Sequence, residues 1–104
     1  MKKILLIHGW NHLNYSSYGC TDAWANRKGF VEGLKKHFIV SSFNLPGFCG
    51  TPDPKTPWDI NDFVNYADQV IKKEKPDYIL GYSFGGAIAL EWKYQSYMKL
   101  KPHI

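Results

Sequence analysis

The 104 residues allow one domain at most, with a thinner core than a full-sized domain builds; 44% hydrophobic and 16% aromatic residues exclude a disordered chain. No run approaches the ~20 apolar residues of a membrane span, and Ile4 to Ile7 is too short for the apolar region of a signal peptide, so a cytoplasmic protein is expected. The net charge of +4 does not call for nucleic acid, because Lys35, Lys36, Lys72, Lys73 and Lys75 gather where helices should end and complement their dipoles.

Lys2-Lys3-Ile4-Leu5-Leu6-Ile7 is a continuous apolar run behind two lysines, the pattern of a strand buried on both faces of a parallel sheet. His8 to Thr21 is a long loop that is either ordinary solvated chain or, through His12, Tyr15 and Tyr18, part of a pocket. Asp22 can cap a helix with Trp24, Phe30, Val31 and Leu34 on its apolar side, ending near His37. Phe38 to Phe43 is β-branched and aromatic and reads as a second strand, and the Gly/Pro-rich stretch from Leu45 to Pro57 as the main irregular loop. Asp59 or Asn61 caps the next helix, whose inner face carries Ile60, Phe63, Val64, Ala67, Val70 and Ile71 until Pro76 forbids continuation. Asp77 to Leu80 is a third strand, and from Phe84 a helix reaches about Tyr97, with an ambiguous tail from Lys99 to Ile104. The order β-α-β-α-β-α gives an α/β fold with a parallel sheet and right-handed crossovers. Cys20 and Cys49 are far apart and show no CxxC spacing or His/Cys cluster, so both read as free thiols, and neither a metal nor another cofactor is expected.

Gly81-Tyr82-Ser83-Phe84-Gly85 matches G-x-S-x-G directly between a predicted strand and a predicted helix. That placement is what makes the match specific. A turn this sharp holds Ser83 in a strained backbone and brings the residues two positions to either side too close for a Cβ, hence Gly81 and Gly85, while Gly86 lets the helix pack tightly. The competing reading is a glycine-rich turn that binds a phosphate at a helix N-terminus, with Ser83 as a cap. Neither G-x-x-x-x-G-K-[ST] nor G-x-G-x-x-G occurs, and the first strand ends in His8-Gly9 rather than in a glycine fingerprint.

With these residues in place the chain resembles the α/β-hydrolase superfamily, in the branch with an HG oxyanion loop and a GxSxGG elbow. His8-Gly9-Trp10 would end the first strand, Leu45-Pro46-Gly47-Phe48 would follow the second, and Tyr82-Ser83-Phe84-Gly85-Gly86 would form the elbow. The chain departs from the family at Asn44, where an acidic residue often precedes LPG, and at Cys49, where a glycine is usual. The resemblance implies a truncated three-layer α/β/α fold with strands in the family's order 4-3-5, residues 1–104 being the N-terminal portion of a single domain. It implies that Ser83 is the nucleophile, that the backbone N–H groups of Trp10 and Phe84 form the oxyanion hole, and that His8, Gly9, Gly81, Tyr82 and Gly85 shape the site. His8 either satisfies loop backbone groups or touches substrate, and in neither role is it the base.

The family's Asp or Glu and its His come after the nucleophile, on later strands. The one histidine after Ser83 is His103, beyond a helix that carries the chain away from the elbow; His12, oriented by Asp53, is the only other base to consider. The resemblance therefore implies a serine hydrolase acting on a small ester, amide or related acyl substrate, with acid and base missing from this chain. The alternatives are a non-catalytic remnant or small-molecule binding module, and one half of a split hydrolase whose later strands come from a continuation or a second chain.

Overall fold

The computed structural model describes residues 1–10 and 22–100. Three strands form one parallel sheet: β1 (Lys3–Ile7) lies between β2 (Ile39–Phe43) and β3 (Tyr78–Gly81). Lys3 stands opposite Ile39 and Ile7 opposite Phe43 on one side; Ile4 stands opposite Tyr78 and Ile7 opposite Gly81 on the other. This is the expected order, with β1 central because it alone is apolar at four successive positions and buried on both faces.

Alternation along β1 distributes the core. Leu5 and Ile7 point to the face covered by α2 (Ile60–Glu74) and α3 (Phe84–Leu100), packing with Val64, Ala67, Ile71 and Ile88. Ile4 and Leu6 point to the other face and meet Trp24, with Val31 and Leu34 of α1 (Lys28–Lys35) against them. One helix therefore covers one face and two the other, as right-handed crossovers to opposite sides of β1 require.

The helix read from Asp22 onward starts later than expected. The Asp22 carboxylate accepts from the Trp24 N–H at 2.9 Å and closes a turn, a 3₁₀ segment follows over Ala25–Arg27, and the α-helix begins at Lys28 with no side-chain cap. Burying Trp24 under the sheet at 3% exposure fixes the chain direction there and delays the helix. Asp59 does cap α2: it accepts from the Asp62 N–H while Asp62 accepts from the Asp59 N–H, a reciprocal capping box. Ile60, expected on the inner face, is instead 37% exposed at the first position of α2, and the packed face begins with Phe63 and Val64. α2 ends at Glu74, and Lys75 turns left-handed before Pro76.

The free-thiol reading of the cysteines is corrected: Cys49 is disulfide-bonded, and the only other cysteine of the sequence, Cys20, lies outside the described residues. Separation along the chain does not limit approach through the fold. Cys49 has a φ of 47°, the left-handed region that favours glycine, at the position where the resemblance expects one. α3 runs three residues past Tyr97 and is apolar beyond its packed face, with Leu90 76%, Tyr94 57% and Tyr97 55% exposed.

Candidate active site

All three strands are parallel, so their carboxyl ends share one edge of the sheet, and the chain leaves β1 and β3 there toward opposite faces. Such an edge is where α/β sheets bind ligands. At the end of β3 the Tyr82 N–H donates to the Ile7 carbonyl at 3.0 Å, and the Gly85 N–H donates to the Tyr82 carbonyl at 2.9 Å, closing a turn directly into α3. Ser83, at the apex, has a φ of 55° and is exposed; among the described residues its hydroxyl has no hydrogen-bond partner. The two glycines are there of necessity. A Cβ on Gly81 would collide with the Gly85 carbonyl oxygen, and one on Gly85 with the carbonyl oxygens of Ile7 and His8. Gly86 is less restricted, since its Cβ would stand 3.3 Å from the Gly81 oxygen.

The loop after β1 abuts this turn. A Cβ on Gly9 would lie 2.8 Å from the Tyr82 carbonyl oxygen and 3.0 Å from Ser83 Cβ, so the backbone of Gly9 passes against the serine and Trp10 follows it, 56% exposed. The Phe84 amide stands at the first position of α3, where a helix leaves N–H donors without intrahelical acceptors.

His8 is 2% exposed and has both ring nitrogens committed. Nε2 accepts from the Leu45 N–H at 2.9 Å, which places the ring proton on Nδ1, 2.8 Å from the Gly9 carbonyl oxygen to which it donates. Burial lowers the His8 pKa, against smaller raising effects from the Gly9 hydrogen bond and the Asp22 charge. A neutral imidazole thus ties the loop after β1 to the loop after β2, and it packs edge-to-face with the Phe48 ring, the centroids 4.9 Å apart. His8 thus satisfies backbone groups of both loops.

Two features were not visible from the sequence. Tyr82 accepts a 2.6 Å hydrogen bond from Arg27, whose guanidinium also lies 4.2 Å above its ring. The residues are distant in sequence and no local pattern joins them. A cavity of about 560 Å³ also opens beside the elbow, walled by Trp10, Phe48, Trp58, Phe63 and Phe84, with Asp53 and Lys55 in its lining. Trp58 and Phe63 flank the Asp59 cap as residues before and four after it, a spacing that could have announced their contact. The pocket contributors read from the sequence, His12, Tyr15 and Tyr18, lie outside the described residues, as does His103.

Among the described residues no free imidazole reaches Ser83. His8 is committed as described, and His37 precedes β2 at the opposite edge of the sheet. Nor do the described residues include a group of three or more His, Cys, Asp or Glu placed to hold a metal ion, or a helix long and apolar enough to cross a membrane.

Residues 2–98 match a family model described as the alpha/beta hydrolase fold. Among curated proteins, the chain is 31% identical over 103 residues to a proline iminopeptidase of Flavobacterium johnsoniae and 30% identical to one of Elizabethkingia meningoseptica, covering 93% of this chain and 33% of each relative. The chain thus spans about a third of the length of these relatives. No solved structure matches it with significance.

Proposed function

The chain belongs to the alpha/beta hydrolase fold family, and from that membership we propose that it carries the nucleophile and oxyanion hole of a serine hydrolase acting on a small ester, amide or related acyl substrate. The observation that carries the reading is the left-handed Ser83, exposed at the apex of a strand-to-helix turn with the Gly9 backbone against it. Ser83 Oγ attacks the carbonyl carbon, its proton passing to a base; the carbonyl oxygen takes the negative charge and accepts from the Trp10 and Phe84 N–H groups. A donor aimed at that charge contributes about 3 kcal/mol to the barrier reduction. The leaving group departs with a proton and an acyl-Ser83 remains, to be released by water. Relatives that bear the name proline iminopeptidase support a peptide amide within this substrate class.

The described residues supply no acid–base pair for Ser83. The later strands that hold it would come from polypeptide beyond these residues, a continuation or a second chain, adding at the free edge of β3 beside the apolar outer side of α3. Without a base the first half of the reaction is slow and the second slower. Incubation with an activated aryl ester is therefore expected to leave one acyl group on Ser83, detected by peptide mass spectrometry and absent from Ser83→Ala. Acylation confined to lysines or to the N-terminus, at equal extent in both proteins, would remove Ser83 from the nucleophile's role.

A further inference from the structure

We infer that the aromatic cavity beside the elbow is the acyl subsite of this chain and that it selects an uncharged, flat ring, with Trp58 as the specificity-determining residue; the inference rests on the hydrolase reading for the word acyl. Two of its walls are Trp10 and Phe84, the residues whose amides flank Ser83, so a carbonyl held by those amides directs one substituent into the cavity. A volume of about 560 Å³ lies in the range of small-molecule sites and exceeds what a methyl substituent fills.

The walls are ordered before any ligand arrives. Phe63 meets Phe84 edge-on at 5.3 Å and Trp58 edge-on at 5.1 Å, while Trp58 also rests against Tyr66 at 5.9 Å. Phe48, on the other side, is 4.9 Å from the His8 ring. Trp58 and Phe63 form the hydrophobic staple across the Asp59 cap, so the box is part of the folding of α2 and not an induced arrangement. Fixed rings favour a ring over a chain of equal carbon count, because edge-to-face contacts add to burial and a rigid guest loses less rotational freedom. The two charged side chains of the lining, Asp53 and Lys55, are of opposite sign and set no preference for an ionic group.

The test uses non-hydrolysable neutral amides on the whole chain: 2-phenylacetamide, hexanamide and acetamide, titrated while the indole resonance of Trp10, another wall of the cavity, is followed by NMR. 2-Phenylacetamide is expected to bind roughly five- to tenfold tighter than hexanamide, with acetamide weaker than both. Trp58→Leu keeps an apolar staple and is expected to bring the ratio of the two larger amides close to one, without loss of the native spectrum. Binding of these amides is read without any turnover, so a failed nucleophile and a failed pocket give different results. Hexanamide binding as tightly as 2-phenylacetamide, an unchanged ratio in Trp58→Leu, or tighter binding of the cationic phenylalaninamide that is lost in Asp53→Asn would each overturn the inference.

Discussion

His8 sits where a neutral ring stabilises and a charged one cannot, because protonating Nε2 sets an N–H against the Leu45 N–H and removes that bond. Its pKa is lowered by burial, so the unfolded chain takes up a proton near pH 6.5 while the folded chain does not until lower pH. In that interval the unfolded state holds more protons, and stability falls as pH falls; above it this group contributes no slope. Urea midpoints should therefore drop between pH 7 and pH 5 in the parent. His8→Leu should be about 1–3 kcal/mol less stable at pH 7.5 and should lose part of that slope; an unchanged slope would mean that His8 titrates normally in the fold. The left-handed backbone of Ser83 is a second strain at this scale. A non-glycine residue there costs about 1–2 kcal/mol, of which glycine's extra unfolded-state freedom returns about 0.5–1. Ser83→Gly is thus expected to equal Ser83→Ala in stability or exceed it by up to about 1.5 kcal/mol, as read by urea unfolding; a clearly less stable glycine variant would show that the turn does not strain Ser83.

α2 is the element whose boundaries are written most fully in the sequence. Asp59 and Asp62 satisfy each other's backbone donors, Trp58 and Phe63 clamp the entry, and Pro76 closes the exit. Removal of the Asp59 carboxylate leaves the Asp62 N–H unpaired, and Asp59→Ala should cost about 1 kcal/mol. Adding Asp62→Ala should cost less than the sum of the two single changes, because the box is already half open; full additivity in chemical denaturation would mean that the two carboxylates act separately. α1 shows the opposite case. Its apolar spacing announced a helix, but its start was decided by Trp24, whose burial beneath Ile4 and Leu6 holds the preceding turn in place. Between α2 and α3 the Trp92 indole donates to Asp68 at 2.9 Å, a contact that orients α3 and hence the turn that begins it.

Taken whole, the molecule holds the strand-to-helix turn at Ser83 and an adjoining loop at one edge of a three-stranded sheet, with no imidazole among the described residues left free beside them. Steady-state turnover of an activated ester by the purified chain is accordingly expected to equal that of Ser83→Ala and His12→Ala; turnover abolished by both substitutions would make His12 the base. Much of this arrangement was legible from the sequence alone. The strand of β1, the order of elements, the parallel sheet and the elbow follow from short-range facts: an unbroken apolar run, glycines where the backbone crosses itself, a cap and a proline at the ends of a helix. What the sequence could not decide are pairings between distant residues. The commitment of both His8 nitrogens to Gly9 and Leu45, the stacking of Arg27 on Tyr82, the bonded state of Cys49, and the meeting of Trp58 and Phe63 with Phe84 in one cavity exist only once the sheet has brought three loops to the same edge. Local patterns fix which elements form, because their energetics act over a few residues; the register of one loop against another depends on packing across the fold, and that only the tertiary structure determines.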